Sequence, residues 1–229
     1  MKRFLNKLRL WDISSANLVD RFITNSNYSA KRVKRYYNRK AEVVFGPASI
    51  EKYLPLQRNP KDFYLLFGQI TDYKRADIAF EACAASGRKL IAAGAGASKK
   101  EIRRWEKTGL VSFKGRVSDA ELCTLFSEAR ALIFPGIEDM GLVPIEANAA
   151  GCPVIAYGKG GVTDTVKNGV TGLFFDEQNP ASLIKALDEF ESKEDRFHDR
   201  SVFSSHVEQF SREAFKERIR RIVAEKKRI

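Results

Sequence analysis

The chain has 229 residues, 44% of them hydrophobic and 30% charged. That length holds one domain or one plus a fragment, it is enough to bury a core, and the composition excludes a disordered chain. The net charge of +11 is unevenly placed: residues 1–40 carry 11 Lys/Arg against 2 Asp/Glu, residues 41–211 carry 21 against 24, and residues 212–229 carry 8 against 3.

A mildly acidic body with two basic ends is unlike the basic face of a nucleic-acid binder. It suits an anionic membrane surface, a partner chain or a solvated tail. The first element, MKRFLNKLRLW, places Phe4, Leu8 and Trp11 at helical spacing, with Met1 and Leu5 adjacent and Lys2, Arg3, Lys7 and Arg9 largely elsewhere. Such a helix fits either an anionic membrane or a further domain. DRFITNS (20–26) reads as a strand, SAKRVKRYYN (29–38) as a basic helix with a packed apolar face, and EVVFGPAS (42–49) as a strand entering a linker. Residues 1–60 are therefore read as the end of a preceding domain.

Six short apolar runs follow: FYLLFG (63–68), KLIAAG (89–94), VSFKG (111–115), ALIFPG (131–136), PVIAYG (153–158) and GLFF (172–175). They read as strands. Helix starts lie between them: Ser98 with Glu101 and Ser118 with Glu121 fit capping boxes, and Asn179 precedes proline at a first helical position. The fold class predicted is α/β, a Rossmann-like parallel sheet with helices on both faces over residues 61–195. Residues 196–229 read as helices, the last starting near Ser211 and packing back toward the N-terminal segment. His198 and His206 fall there and are expected on the surface. Cys83, Cys123 and Cys152 form no Cys-x-x-Cys pair, which argues against a disulfide framework and for a reducing, cytoplasmic compartment. No run approaches the ~20 apolar residues of a membrane span, and the opening lacks a signal-peptide apolar run.

In such sheets ligands bind beyond the carboxyl ends of the strands. The segment IEDMGLVPIEANAAGCPVIA (137–156) leaves a strand there and starts a helix near Gly141–Pro144. First-turn amides around Gly141, Leu142 and Val143 suit a phosphate or pyrophosphate, and Gly141 permits close approach. Glu138 and Glu146 flank this anion site and are good acceptors for sugar hydroxyls. Equally, Glu146 would complement a helix dipole and Glu138 would be a solvated loop charge, so the residues alone leave both open. GAGASK (94–99) lacks the third glycine of a dinucleotide fingerprint. GKGG (158–161) reads as a flexible loop. No His/Asp/Glu cluster has metal-ligand spacing, so no metal or other cofactor is expected.

The Glu138-x7-Glu146 spacing resembles the signature of family-four glycosyltransferases (glycosyl transferases group 1, GT-B fold), here their C-terminal, donor-binding half. PGIEDMGLVPIEANAAGCPVIAYGKGG, NGVTGLFF and VSFKGRVSDAEL are similar to that family's text. WDISSANLVDRFITNS and FSREAFKERI resemble bacterial polysaccharide mannosyltransferase-like members. The resemblance implies that Glu146 binds ribose hydroxyls and Glu138 donor-sugar hydroxyls. It gives the main chain of Met140, Gly141, Leu142 and Val143 to the diphosphate and sugar, and Arg116–Val117 to the base. Lys74 matches the lysine that neutralises the leaving pyrophosphate. It implies a retaining hexosyltransferase that uses a nucleoside-diphosphate sugar, GDP-mannose by subgroup, for a glycan or lipid-linked acceptor.

Two departures stand out. The family commonly has arginine five residues before the lysine, where this chain has Gln69, and Arg75 is the candidate to compensate. The acceptor-side histidine has no counterpart, so the chain is expected to bind donor but to be incomplete for transfer. The alternative is a non-catalytic nucleotide-sugar-binding module, or one subunit of a two-chain transferase. The partners expected are the donor and an anionic membrane, at the inner face of the cell membrane, or a separate acceptor-domain chain. No nucleic acid is expected.

Overall fold

The computed structural model describes residues 2–226; Met1 and the last three residues, to which the reading gave part of an apolar helix face and of a basic end, lie outside the described residues. The elements in chain order begin with helix α1 (Lys2–Ala16), strand β1 (Phe22–Thr24), α2 (Asn27–Tyr37) and β2 (Ala41–Val43). A linker then leads into β3 (Tyr64–Phe67), α3 (Ala76–Ala85), β4 (Leu90–Ala93), α4 (Lys99–Glu106), β5 (Val111–Gly115) and α5 (Asp119–Glu128). There follow β6 (Leu132–Phe134), α6 (Leu142–Ala149), β7 (Val154–Tyr157), α7 (Val162–Thr165) and β8 (Gly172–Phe175). The chain closes with α8 (Pro180–Ser192), α9 (Arg200–Val207) and α10 (Arg212–Lys226).

Strands β3 to β8 form one parallel sheet in the order β5-β4-β3-β6-β7-β8. All six runs read as strands are there. Their side chains alternate between two cores. Tyr64, Leu66, Ile133 and Ile155 pack with Phe80 of α3 and Leu183 of α8. Leu65, Leu132, Phe134 and Val154 pack with Phe126 of α5, Ile145 of α6 and Val207 of α9. Both faces are covered, which is why the strands read as continuous apolar runs. The capping boxes at Ser98 and Ser118 form, and Asn179 accepts from the Ser182 amide.

An ion network ties α8 to the amino edge of the sheet. Tyr64 donates to Glu191 at 2.6 Å, Arg88 meets the same carboxylate at 2.7 Å, and Arg130 meets Glu191 at 3.1 Å and Glu194 at 2.5 Å. The Arg88 hydrogen bond, joined by Tyr64 and the Arg130 charge, holds the Glu191 carboxyl at about 2, against 4.5 ordinarily. A depressed folded-state pKa stabilises fully above the unfolded value and loses that contribution as pH falls toward the folded one. The melting temperature is therefore expected to drop between about pH 4.5 and 2. Glu191→Gln should melt lower at neutral pH and show a shallower acid decline in a calorimetric series; parallel pH profiles would remove the network from the acid limb.

The N-terminal residues form a small unit in which β1 and β2 pair in parallel across α2. Tyr37 stacks on Phe22 at 5.7 Å and donates to Asp12 at 2.9 Å. Helix α10 and the turn before it touch this unit and the linker: Arg21 bonds Glu225 and the Ile222 carbonyl of α10, and Phe45 packs against Phe210. On α1, Phe4 and Trp11 are 64% and 69% exposed. Among the described residues no helix is long and apolar enough to cross a membrane. His198 is exposed, but His206 is not the surface group expected: it is half-buried, its Nε2 2.9 Å from the Thr165 carbonyl oxygen.

Candidate functional site

The strand order reverses between β3 and β6. The two loops leaving a sheet at such a point diverge to opposite faces and leave a crevice. Here they carry Lys74 and Glu138, whose Nζ and Oε1 meet at 2.8 Å across it. Both side chains are about one quarter exposed. Gln69 lines the same crevice, with Gly68, Pro135 and Gly136.

The loop after β6 ends at Gly141, whose φ of +83° is one that side-chain-bearing residues rarely adopt. No side chain caps the helix that follows. First-turn amides of a helix lack intrahelical acceptors and carry the positive dipole end. Met140 and Gly141 are buried, Val143 is half-buried and Leu142 is exposed. An anion held here would meet main chain on the α6 side.

Glu146 lies on α6 in the turn after Gly141 and is half-buried. Burial raises its carboxyl pKa, Lys52 opposes the shift and Asp119 adds to it. Lys52 is paired with Asp119 at 2.8 Å. Burial and Glu146 push the Tyr53 phenol up to about 12. Lys52, Tyr53 and Asp119 escaped the sequence reading, because nothing in their local spacing places them beside Glu146. Arg116 is exposed, and Val117 packs on the second core just before the Ser118 cap.

Arg75 does not face Lys74's crevice. Its guanidinium is held by Asp77 at 3.0 Å and lines a separate cleft with Ile70, Thr71 and Gly96. Its left-handed φ of +54° turns the chain into α3 and sends the side chain that way. It therefore leaves the charge missing at Gln69 unreplaced. GKGG is also not a free loop: Gly160 and Gly161 are buried, and the Gly161 amide donates to the Glu138 carbonyl at 2.7 Å. The tetrapeptide braces the loop that carries Glu138.

The N-terminal unit reaches the same loops. Arg32 pairs with Asp139 at 2.6 Å, and Asn27 donates twice to Asp164 of α7. Between them lies a cleft of ≈ 490 Å³ lined by Lys31, Lys159, Ile137 and Gly160 among others. Among the described residues no three His, Cys, Asp or Glu side chains converge as a metal site would need.

Residues 54–216 match the family model described as Glycosyl transferases group 1. The chain is 28% identical over 205 residues to the D-inositol 3-phosphate glycosyltransferase of Streptomyces scabiei, covering 75% of this chain and 46% of that protein. It is 28% identical over 194 residues to the protein of the same name from Mycobacterium bovis, covering 74% and 40%. The chain thus spans under half the length of these relatives. Among solved structures, sucrose-phosphate synthase from Thermosynechococcus elongatus superposes with a TM-score of 0.81 at 18% identity, over 96% of this chain and 61% of that one. The Anabaena protein HepE in complex with UDP and glucose gives 0.79 at 18% identity, over 94% and 66%. The match extends across the six-stranded sheet, the Lys74–Glu138 crevice, α8, α9 and the start of α10: the chain belongs to the Glycosyl transferases group 1 family.

Proposed function

We propose that this chain binds a nucleoside-diphosphate hexose in the Lys74–Glu138 crevice and serves as the donor half of a retaining glycosyltransferase. GDP-mannose is the donor the subgroup resemblance favours, with a glycan or lipid-linked acceptor. The observation that carries the reading is the meeting of Lys74 and Glu138 at 2.8 Å beside the uncapped start of α6. The diphosphate lies on the amides of Leu142 and Val143 and against Lys74, the sugar against Glu138, and the ribose at Glu146. When the bond from the anomeric carbon to the diphosphate breaks, its electron pair stays on the diphosphate. Lys74 and the helix amides offset that charge without a metal. The acceptor oxygen bonds the anomeric carbon on the same face, and its proton passes to the departing diphosphate.

A thermal-shift panel of GDP-, UDP- and ADP-sugars tests the binding. A ligand at a hundred times its dissociation constant stabilises by about 2.7 kcal/mol. One nucleotide family should raise the melting temperature; a flat panel would end the reading. Gln69 supplies a neutral donor where a guanidinium would supply a charged one, a difference of roughly 1.4 kcal/mol. Gln69→Arg is accordingly expected to bind nucleoside diphosphate about tenfold tighter by calorimetry, and unchanged affinity would place position 69 outside the diphosphate site.

A second reading, a non-catalytic nucleotide-sugar-binding module or one subunit of a two-chain transferase, is supported by Gln69, which leaves the crevice one charge short. Donor hydrolysis and transfer, assayed alone and with a candidate acceptor-domain chain, separate the two. The exposed apolar side chains of α1 and the basic ends support docking of that side on an anionic membrane or on such a chain. Pelleting with liposomes that contain anionic lipid, but not with neutral ones, is expected for the membrane. Lys31, Lys34 and Arg35 are the side chains to neutralise, and Arg32 is spared because it holds Asp139.

A further inference from the structure

The cleft of ≈ 490 Å³ between the N-terminal unit and the loops after β6 and β7 shares a wall with the donor crevice. Ile137 lines the cleft, and its neighbours Gly136 and Glu138 line the crevice. Gly160 closes the same wall from the other loop: a Cβ built there would lie 2.8 Å from the Glu138 carbonyl oxygen and 2.9 Å from Cγ2 of Ile137. A molecule in the cleft is therefore separated by one strip of chain from the carboxylate proposed to hold the donor sugar.

Its positive charge comes from both sides. Lys31 lines it from α2 and Lys159 from the loop after β7, and both are exposed. Neither ammonium group has an ion-pair or hydrogen-bond partner among the described residues, and the hydroxyl of the half-buried Tyr28 has none either. Lys159 lies over the Tyr157 ring at 5.5 Å, a contact that leaves its N–H groups unspent. Asp164, the carboxylate in the lining, is turned to the start of α2, where it accepts from the Asn27 amide at 2.7 Å and from the Asn27 side chain at 2.8 Å. The positive end of the helix dipole offsets part of its charge there. Arg32 and Asp139 neutralise each other nearby. The lining thus keeps a net positive charge and unspent donors on opposite walls.

We propose that this cleft holds a phosphate group of the acceptor, so that the acceptor substrate is a phosphate ester, either free or borne by a lipid. The inference rests on the donor reading of the Lys74–Glu138 crevice. An ammonium on a flexible stem binds phosphate as a point charge and needs no fixed fork. A neutral glycan would leave both ammonium groups to water, whereas a phosphate gains charge-assisted hydrogen bonds from both walls. The volume far exceeds the ~30 Å³ share of one water, so the organic part of the ester also fits. That part extends along Ile137 toward Glu138, the direction from which an acceptor hydroxyl has to approach the sugar.

Glycerol 1-phosphate is the probe, with glycerol as its uncharged analogue, in 1H–15N titrations of the full chain with and without saturating nucleoside diphosphate. The ester is expected to move the amides of Tyr28, Lys31, Lys159 and Gly160 in both conditions, and glycerol to move none of them. Lys159→Gln should weaken the ester about tenfold, and Lys31→Gln added to it should weaken it further. Nucleotide affinity and melting temperature stay unchanged, because both side chains are exposed. Lys100→Gln, at an exposed lysine of α4, should leave ester binding as it is. Dihexanoyl phosphatidic acid, kept monomeric, separates the two sources. Binding tighter than that of glycerol 1-phosphate, with the same dependence on Lys159, marks a lipid-borne phosphate, and equal or weaker binding marks a free ester. No shifts in the cleft, equal shifts with glycerol, or indifference to Lys159→Gln would each overturn the proposal while nucleotide binding stands. A chain that binds the ester but no nucleotide would overturn the donor reading, and the acceptor role with it.

Discussion

Lys74→Ala is expected to weaken nucleoside-diphosphate binding by roughly ten- to a hundredfold, the worth of one hydrogen bond to a charged group. The fold should survive, because the Lys74 side chain is a quarter exposed and its ion-pair partner can turn to water. The same pair makes a second, opposite expectation. Without ligand, Lys74 is engaged by Glu138 at 2.8 Å, so an incoming diphosphate must share the lysine with a carboxylate that repels it. Glu138→Gln removes the repulsion and keeps the shape. It should bind the bare nucleoside diphosphate at least as well as the wild type, while transfer of sugar, assayed with any acceptor component required, falls steeply. Calorimetry on both variants separates the roles. A Glu138→Gln protein that loses nucleoside-diphosphate affinity in parallel with Lys74→Ala would show that the carboxylate only positions the lysine.

Gly161→Ala is the second large effect, and it acts through packing. A Cβ at this position would fall 2.1 Å from the Asp139 carbonyl oxygen and 2.4 Å from the Met140 Cα. Neither atom belongs to a side chain that can swing aside, so the loop carrying Glu138 must move as a whole. Overpacking of this kind costs about 1–3 kcal/mol, or about 2–12 °C in a chain of this size. The displaced loop also shifts the start of α6 away from Lys74, so donor binding should be lost with it. Gly169 provides the control, with a φ of +74° and nothing within 4 Å of an added Cβ. Gly169→Ala should cost about 1–2 kcal/mol of backbone strain and leave nucleotide binding intact. Equal binding losses in the two variants, measured by thermal shift with and without nucleotide, would mean that Gly161 matters only for stability.

The sheet was legible because its central strands are buried on both faces and read as apolar runs, and because most of the runs end in glycine. The helix starts were legible because caps are local: Ser118 and Glu121 are three residues apart, and that spacing alone makes the box. The candidate site was legible where its geometry too is local, in the glycine turn at Gly141 and the uncapped first turn of α6. What could not be read is what the topology brings together. Lys74 and Glu138 meet because β3 and β6 are neighbours at the point of reversal, and no spacing in the chain encodes 2.8 Å. GKGG looked mobile because glycine is permissive, yet here the glycines are small so that two loops can touch. His206 looked like a surface residue because its neighbours are polar, while its hydrogen-bond partner lies 41 positions away at the Thr165 carbonyl. Arg75 looked like a substitute for the missing charge by adjacency, but consecutive residues of a turn point different ways.

A 1H–15N titration of the labelled chain, with whichever nucleoside diphosphate gives the largest thermal shift, tests the central claim most directly. The amide shifts expected to move most are those of Gly141, Leu142 and Val143, together with the Gln69–Lys74 loop. Shifts centred instead on the Gly94–Ser98 loop, or no shifts at saturating nucleotide, would contradict a donor site at the reversal point of the sheet.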